Sequence, residues 1–551
     1  MKVSLLFIVL LISLLSSCDM RKGPVERPKI VIGVVVDQMR WDYLYRYYDR
    51  YGSGGFKRLL HDGYDCRNTM INYLPTFTAP GHACIYTGSV PALHGIAGNE
   101  WVDLSDGKVH YCVDDTSVRS TGDAEGKASM SPANLLTTTI TDELRLATNF
   151  RSRVYGVALK DRSSILPAGH LANAAYWYND KTGDFASSTY YSNPNPDWLK
   201  SFNKRKVADS FISQGWHLLY DAGTYAQSTS DSNAYEGPFK WEQAPVFPHT
   251  FDTVRGAARN GIIKTIPAGN TYSIMMAKAC IEGEQLGKGK ETDFLTLSLS
   301  STDYVGHRFA PNSMEIEDTY LRLDKDIAEL MKYLDRKFGR KGYVLFLTAD
   351  HGGAHNPRFL TDKHVPAGVE HGSTFDDLNN SVKEAFGVDS LITFTENYQV
   401  CLDEERMSKA TADRATVRAS IMAWLSAMPE VAYVVDMEQM FRTPVPEPLH
   451  TMIVNGYHKT RSGSIQIVLN PGWFGNEGRK TGTTHGTWNP YDAHIPLLWY
   501  GWHIPKGSTS EVVHMTDIAP TLADLLNIQM PNGCIGKPVN GLLHTEKKRT
   551  R

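Results

Sequence analysis

Six short, apolar, β-branched runs constrain the fold of this chain most strongly. Each run is continuous rather than alternating, which is typical of strands that are covered on both faces, as in parallel sheets. Segments with helical periodicity lie between the runs. Strands that alternate with helices predict an α/β fold with a doubly wound, mostly parallel central sheet flanked by helices. The six runs are Ile30–Val36, Val154–Leu159, Phe294–Leu299, Tyr343–Thr348, Ile465–Leu469 and Pro496–Tyr500.

Four segments carry the predicted helices. The clearest is Met314–Lys337, in which apolar residues recur at helical spacing over the whole segment. Asn134–Thr148 follows Ser131-Pro132, a combination that favours a helix start. The other two predicted helices are Ala415–Ala427 and Ala519–Leu526.

Two segments interrupt the alternation of strands and helices. Residues at about 170–270 are rich in Tyr, Trp, Asn, Asp, Ser and Gly, and we interpret them as a cap-like insertion over one edge of the sheet. Residues at about 355–460 predict a second excursion, with strands at Leu391–Leu402 and Val431–Asp436. We therefore expect a single catalytic domain over 28–545 that carries both insertions, followed by a basic tail at 546–551.

The N-terminus has the pattern of an export signal. Lys2 precedes an apolar run at 5–15, and Leu15-Ser16-Ser17-Cys18 resembles a bacterial lipobox. The run is too short for a transmembrane helix. We expect a lipoprotein signal peptide over 1–17, a lipid on Cys18 as the only membrane contact, a linker over 18–27, and a periplasmic or cell-surface location. Ordinary signal-peptidase cleavage nearby is the alternative.

The composition excludes several classes of protein. Hydrophobic residues make up 42% and charged residues 21% of the 551 residues, which excludes a disordered chain, a collagen and a coiled coil. The net charge of -3 predicts no global attraction to nucleic acids or acidic membranes, so any anion site must be local. Six cysteines remain beyond Cys18 without C-x-x-C spacing, which argues against a cysteine zinc site and leaves their pairing open.

Polar side chains follow four of the predicted strands at the point where each strand ends. The carboxyl ends of parallel strands meet at one edge of an open sheet, which is where such folds bind ligands. Asp and His are ligands of zinc in hydrolytic sites, and Asp303 and His307 are one helical turn apart, so both can face one ion. A further candidate is His485, in a loop of small residues. The strand-end residues are Asp37, Lys160, Arg162, Asp303, His307, Asp350 and His351.

Two further features point to an anion. Lys160 and Arg162 leave one strand end two residues apart, so their side chains are predicted to share a face, with Asp161 pointing the other way. Thr78 stands two residues before Pro80, at a predicted helix start. Its hydroxyl either caps the helix or meets an anion there, and a metal-bound hydroxyl can ionise and act as a nucleophile.

Together these motifs resemble the alkaline phosphatase superfamily, nearest to its type I phosphodiesterase/nucleotide pyrophosphatase branch. Lys160-Asp-Arg162 is similar to the corresponding motif of the phosphate-irrepressible alkaline phosphatases, which use a threonine nucleophile. His82 and several other histidines match no ligand position. The motifs are the strand that ends at Asp37, Thr78-x-Pro-Gly-His, Gly-x-x-Gly-Asn99, Asp303-x3-His307, Asp350-His351-Gly and Thr-His485-Gly.

The resemblance implies two zinc ions, a site and a reaction. One zinc would be held by Asp303, His307 and His485, and the other by Asp37, Asp350 and His351 with the Thr78 oxygen. Asn99, Lys160 and Arg162 would bind the phosphoryl oxygens.

The expected enzyme is a monomeric phosphoric monoester hydrolase. It would act on small-molecule phosphate monoesters through a phospho-threonine and would have no nucleic-acid partner. The alternatives are a phosphodiesterase or nucleotide pyrophosphatase with the same metals, and a non-catalytic zinc-dependent binding protein at the cell surface. A sulfatase is excluded because C/S-x-P-x-R is absent, and a P-loop enzyme because GxxxxGK[ST] is absent.

Overall fold

Five of the six apolar runs form strands of a ten-stranded sheet in the computed structural model, which describes residues 26–121, 129–191, 194–370, 374–475 and 480–543. The strands, in chain order, are β1 (Ile30–Val36), β2 (Tyr64–Met70), β3 (Glu100–Asp103), β4 (Lys108–Tyr111), β5 (Val154–Ala158), β6 (Ala174–Asn179), β7 (Asp184–Ala186), β8 (Asp293–Leu299), β9 (Tyr343–Thr348), β10 (Gly368–Val369), β11 (Ile392–Phe394), β12 (Gln399–Leu402), β13 (Val431–Asp436), β14 (Ile465–Leu469), β15 (Trp473–Phe474), β16 (His494–Ile495), β17 (Leu497–Gly501) and β18 (Gly507–His514).

The central sheet is mostly parallel, as predicted. Its strand order is β16-β2-β17-β9-β1-β8-β5-β6-β7, and β18 pairs with β2. The four strands β9, β1, β8 and β5 are adjacent and parallel, and every residue of each is buried. Burial on both faces explains why these strands read as continuous apolar runs.

Two of the six runs pair differently from the expectation. β17, predicted as Pro496–Tyr500, is antiparallel to both β9 and β2. β14 lies outside the central sheet and pairs antiparallel with β12 and β13 in a separate four-stranded sheet. A continuous apolar run indicates that a strand is covered on both faces. It does not indicate which strands pair with it or in which direction they run.

Helices cover the sheet and follow most of its strands. The α-helices are Tyr43–Arg46, Phe56–Asp62, Thr78–Thr87, Pro91–His94, Ile140–Ala147, Asp161–Ala168, Asp197–Lys204, Val207–Ser213, Gly256–Gly261, Ala268–Gly283, Ser301–Phe309, Met314–Phe338, Pro357–Asp362, Thr374–Phe386, Glu404–Met407, Arg414–Ser426, Leu449–Gly456, Pro490–Ala493, Ile518–Leu526 and Asn540–Leu543.

Three of the four predicted helices match within two residues, and the fourth starts late. The helix predicted over Asn134–Thr148 begins at Ile140. Thr139 caps it by accepting a hydrogen bond from the backbone N–H of Asp142, whose carboxylate accepts from the Thr139 N–H in return. This reciprocal pair fixes the start, so the earlier Ser131-Pro132 signal marks a turn instead.

The two predicted insertions have different structures. Within 170–270, β6 and β7 extend the central sheet at one edge. The second, predicted over about 355–460, extends further, because its four-stranded sheet includes β14. This sheet packs with Thr374–Phe386 and Arg414–Ser426 around a hydrophobic core of its own.

Three remaining sequence features fall partly or wholly outside the described residues. The signal peptide, Cys18 and the basic tail lie there, so they stay predictions. Among the described helices, none combines the length and the apolar character that a membrane span requires. The six cysteines of the described residues are free thiols, namely Cys66, Cys84, Cys112, Cys280, Cys401 and Cys534.

Candidate active site

The carboxyl ends of the four adjacent parallel strands bring the predicted residues to one place. Asp37 directly follows β1, and Asp350 follows β9 by two residues. Asp303 lies in the helix Ser301–Phe309 that follows β8. Lys160 follows β5 by two residues and is the N-cap of the helix Asp161–Ala168. Neighbouring strand ends therefore supply three buried carboxylates and one buried ammonium group.

Lys160 links two of the three aspartates. Its Nζ donates to Asp37 Oδ2 at 2.7 Å and to Asp303 Oδ2 at 2.6 Å. Burial opposes the ionisation of all these groups, but the charges of Asp303 and Asp37 raise the pKa of Lys160. The neighbouring His307 and the charge of Lys160 hold the pKa of Asp303 well below its usual range against its burial.

Asp37 has the opposite electrostatic balance. Burial and the negative charge of Asp350 raise the pKa of Asp37 well above its usual range, and Lys160 offsets this only in part. Asp37 Oδ1 is buried and has no hydrogen-bond partner among the described residues. Lys160 alone does not balance the negative charge of the three aspartates. A carboxylate cluster of this kind is expected to bind a cation and to release a proton when it does so.

The three predicted histidine ligands share one tautomer. In each, Nδ1 faces a backbone carbonyl oxygen: Thr483 at 2.8 Å for His307, Gly352 at 2.9 Å for His351 and Thr76 at 2.8 Å for His485. A carbonyl only accepts, so Nδ1 carries the proton and the lone pair of a neutral ring lies on Nε2. Burial lowers the pKa of His351 and of His485, which favours the neutral ring that binds metals.

Two groups of these side chains have the geometry of a metal site. Asp37, Asp350 and His351 form one group, and Asp303, His351 and His485 form the other. In each group one ligand atom per residue lies within 4.8 Å of the others, about twice the length of a zinc–ligand bond. The first group is the set expected from the sequence. In the second, His351 stands where His307 was expected, and His307 Nε2 instead lies 3.1 Å from Asp303 Oδ1.

Thr78 is the first residue of the helix Thr78–Thr87, and its hydroxyl does not cap that helix. Phe77 is the N-cap and makes no side-chain cap. The Thr78 hydroxyl is instead 3.4 Å from His351 Nε2 and 3.5 Å from Lys160 Nζ. The capping interpretation is therefore wrong, and the hydroxyl lies beside the histidine that both candidate metal groups share.

Asn99 and Arg162 share a cavity of about 190 Å³ with Thr78. Asn99 Oδ1 accepts a hydrogen bond from the Ala79 N–H at 3.0 Å, and the amide NH₂ takes no part in that bond. Arg162 Nη1 donates to the Tyr111 hydroxyl at 3.0 Å. The Tyr111 hydroxyl in turn donates to Asp161 Oδ1 at 2.5 Å.

Lys160 and Arg162 also line a second cavity, of about 530 Å³. They reach it together because both stand at a helix start, since β5 ends at Ala158. The strand alternation from which their shared face was predicted therefore does not apply.

Two supporting residues were missed from the sequence. His82 lies one turn after Thr78, with Nδ1 3.3 Å from Asp350 Oδ2 and Nε2 3.0 Å from Ser298 Oγ. Gln38 donates from its side chain to Asp303 Oδ1 at 2.6 Å. His82 offered a signal because i, i+4 spacing on a helix places it on the face of Thr78, whereas nothing in the pattern marked Gln38.

The wall of the smaller cavity comes partly from the second insertion. Asn397 lines it and donates to the Glu100 carbonyl at 2.8 Å. Tyr398 stacks on Phe77 at 6.4 Å between ring centroids. Asn397 and Tyr398 both have positive φ, at 62° and 57°, an uncommon backbone conformation that is often found beside functional sites.

Known proteins are similar to this chain in sequence over most of its length. The family described as type I phosphodiesterase / nucleotide pyrophosphatase matches residues 31–492. A protein of Myroides odoratus named calcium-transporting ATPase is 52% identical over 93% of this chain and 94% of its own. Alkaline phosphatase PafA of Elizabethkingia meningoseptica is 46% identical over 95% of this chain and 96% of its own. Alkaline phosphatase PhoV of Synechococcus elongatus is 46% identical over 98% and 100%.

Solved structures of PafA extend the comparison to the fold. The crystal structure of the wild-type protein superposes with a TM-score of 0.91 and covers 95% of this chain and 100% of PafA. A PafA variant with a threonine changed to serine and an asparagine, a lysine and an arginine changed to alanine also superposes with a TM-score of 0.91. By sequence and by fold, this chain belongs to the type I phosphodiesterase/nucleotide pyrophosphatase family of the alkaline phosphatase superfamily.

Proposed function

We propose that this protein is an exported, zinc-dependent alkaline phosphatase that hydrolyses phosphate monoesters through a phospho-threonine at Thr78. Phosphomonoesterase activity follows from the 46% identity to PafA and PhoV over nearly the whole chain, whereas nucleotide pyrophosphatases are a more distant relation. The observation that carries the mechanism is the Thr78 hydroxyl, which lies beside His351 and Lys160 at the rim of the sheet.

The donor set fits zinc. Carboxylates and neutral Nε2 atoms are the ligands that zinc takes in hydrolytic sites, and both candidate groups contain them. Asp37, Asp350 and His351 would hold one ion, and Asp303, His485 and His307 would hold the other. His351 is a member of both candidate groups. Bound zinc lowers the pKa of a hydroxyl or a water and stabilises the oxygen of the leaving group.

The charge of the site suits a phosphate monoester. Asp37, Asp303 and Asp350 contribute three negative charges, and Lys160 and Arg162 two positive charges. Two divalent cations would bring the total to three positive charges. A dianionic monoester then enters a field of opposite sign, with preorganised donors aimed at its oxygens.

The residues divide the reaction into two displacements. Thr78 Oγ1 loses its proton to solvent and attacks phosphorus, the bond from phosphorus to the ester oxygen breaks, and the departing oxygen takes up a proton from solvent to leave as the alcohol. Water then attacks the phospho-threonine, which returns the Thr78 hydroxyl and releases inorganic phosphate. Asn99, Lys160 and Arg162 donate to the phosphoryl oxygens in both steps, which is the positioning and charge stabilisation that phosphoryl transfer requires.

The PafA variant supports this division of roles. The four residue types changed in it are a threonine, an asparagine, a lysine and an arginine. Thr78, Asn99, Lys160 and Arg162 occur in the same order, at intervals that differ from those in PafA by at most one residue.

Export and a lipid on Cys18 complete the proposal. They are supported by Lys2, the apolar run at 5–15 and the Leu-Ser-Ser-Cys sequence. A periplasmic or cell-surface location follows from them, and we keep a monomer as the expected state.

One set of rates tests the proposal. The protein is dialysed against a chelator, reloaded with zinc and assayed with an aryl phosphate monoester and with the corresponding bis-ester. We expect about two zinc ions per chain, loss of activity on chelation, recovery with zinc, and a clear preference for the monoester.

Each contrary outcome points to a different alternative. Faster hydrolysis of the bis-ester would favour a phosphodiesterase. Bound zinc without any turnover would favour a binding protein. Full activity in a metal-free preparation would contradict the metal site.

A further inference from the structure

Gln38 follows the candidate ligand Asp37 in a conformation that few residues other than glycine adopt. Its φ is 60°, and it is buried. Successive side chains of an extended strand point to opposite faces, so an extended Gln38 would point away from Asp37. The left-handed conformation ends that alternation and is unfavourable for a residue with a β-carbon. A buried residue held in this conformation calls for an explanation in its contacts.

Those contacts connect the two candidate metal groups. Gln38 Nε2 donates to Asp303 Oδ1 at 2.6 Å. The backbone N–H of Gln38 donates to Asp350 Oδ1 at 3.2 Å. Asp303 belongs to one group and Asp350 to the other, so one residue holds a carboxylate from each.

The side-chain contact also completes the fixation of Asp303. Lys160 donates to Oδ2 of this carboxylate, and Gln38 donates to Oδ1. Oδ1 is also the oxygen nearest to the two histidines on this side, at 3.1 Å from His307 Nε2 and 3.7 Å from His485 Nε2. With both oxygens held, the carboxylate keeps one orientation toward the histidines.

The surroundings of Gln38 confine its amide group. A β-carbon at Gly306 would overlap Gln38 Oε1, and one at Gly353 would lie 3.2 Å from Gln38 Cδ. The two glycines therefore allow the amide to lie against the helix of Asp303. An amide also suits the position chemically, because it donates a hydrogen bond without adding a fourth negative charge to three buried aspartates.

We propose that Gln38 is a positioning residue that orients Asp303 for metal binding through its side chain and Asp350 through its backbone. The inference rests on the metal site proposed above. It predicts an asymmetry, because replacing the side chain removes the bond to Asp303 and leaves the backbone bond to Asp350 in place.

The test is zinc affinity in the variant Gln38→Gly. Glycine adopts positive φ without strain, so this change removes the side chain without distorting the backbone. Metal-free protein is titrated with zinc against a chromogenic chelator of known affinity. We expect one of the two zinc equivalents to bind about 10–100-fold more weakly, the range seen when outer-sphere partners of metal ligands are lost, and the other to be nearly unchanged. The weakened equivalent should be the one that Asp303→Ala abolishes.

Two further variants serve as controls. One tests the length of the side chain, and the other tests the general effect of placing a glycine at positive φ. Gln38→Asn keeps an amide and tolerates positive φ but is one methylene shorter, so it should show the same loss at the same equivalent. Gln285→Gly makes the same substitution at an exposed glutamine with φ of 54°, and both zinc affinities should be retained. Thermal unfolding of each variant confirms that it is folded, and Gln38→Asn remains informative if Gln38→Gly is not.

The outcomes distinguish this inference from the proposed function. If the wild-type protein binds two zinc ions and both Gln38 variants bind them equally well, the role of Gln38 is refuted and the proposed function stands. A loss of equal size at both equivalents would also refute the asymmetric role. If the wild-type protein binds no zinc, the proposed metal site fails, and the role of Gln38 fails with it.

Discussion

Arg162 provides the sharpest test of how this site selects its substrate. Arg162 is half-buried, lines the cavity that contains Thr78, and donates from Nη1 to the Tyr111 hydroxyl. Among the described residues, no ion pair joins this guanidinium to a carboxylate, and Nε has no hydrogen-bond partner. Lys160 differs, because its removal would leave Asp37 and Asp303 without their buried cation and disturb the metal site itself. Arg162→Ala therefore changes the recognition of substrate charge with the least effect on metal binding.

The size of the expected loss in kcat/KM follows from the hydrogen bonds that Arg162 can donate. Loss of one preorganised donor to the charge of a transition state costs about 10²–10³-fold in rate. We expect Arg162→Ala to lower kcat/KM for an aryl phosphate monoester by that factor. A diester carries a neutral substituent on one of these oxygens, so its hydrolysis should fall less than about tenfold. Arg162→Lys keeps the charge and loses the planar fork, so its rate should lie between those of wild type and alanine.

The hydrogen-bond chain behind Arg162 gives a graded control. Tyr111→Phe removes one hydrogen bond from the charged guanidinium, a class worth about 1.5–3 kcal/mol, but it leaves the guanidinium itself in place, so the monoester rate should fall less than with Arg162→Ala. The exposed Arg205→Ala removes the same residue type at the surface and should leave both rates unchanged. The measurement is kcat/KM for the monoester and the bis-ester at equal zinc content. Equal losses on both substrates with Arg162→Ala would refute the assignment of Arg162 to the extra charge of the monoester.

Three other predictions concern the nucleophile, stability and the membrane. Thr78→Ala should lose nearly all turnover and still bind zinc, Thr78→Ser should keep appreciable activity, and Thr87→Ala, the same change at the far end of the helix, should remain active; an active Thr78→Ala would refute the nucleophile. Burial and the charge of Glu315 raise the pKa of Glu236 to about 9, so the folded chain retains a proton that the unfolded chain releases near pH 4.5, and stability falls as pH rises across this window. Thermal midpoints from pH 6 to 10 should therefore fall less steeply for Glu236→Gln than for wild type, and parallel curves would contradict this. Cys18→Ala should release the protein from membranes without loss of catalysis, and an unlipidated wild-type chain found in the soluble fraction would refute the anchor.

Local patterns predicted the features that depend on short stretches of chain. The apolar runs of β1 and β9 matched the observed strands at both ends, because a strand buried on both faces admits few polar residues. The spacing of Asp303 and His307 predicted that both side chains can face one ion, and they do lie on one turn of a helix, with His307 Nε2 3.1 Å from Asp303 Oδ1. The order of strands along an open parallel sheet then placed the residues that follow them at one rim.

Features that depend on tertiary contacts could not be predicted from local sequence patterns. Gln38 has no marked position in any pattern, because its role comes from a left-handed backbone and a partner far along the chain. The strand β14 had the right boundaries, but its neighbours β12 and β13 are chosen by packing within the second insertion. Lys160 and Arg162 reach a common cavity from a helix start rather than from a strand.

The origin of the cavity wall has a consequence for how such an enzyme diversifies. The candidate residues Asp37, Lys160, Asp303 and Asp350 follow β1, β5, β8 and β9, and Thr78 begins a helix beside them. Asn397 and Tyr398 instead belong to an excursion with its own sheet and core. Substitutions in that excursion can reshape the entrance without displacing a single reacting atom. We therefore expect selection to be able to alter the cavity entrance through this excursion while it preserves the residues at the strand ends.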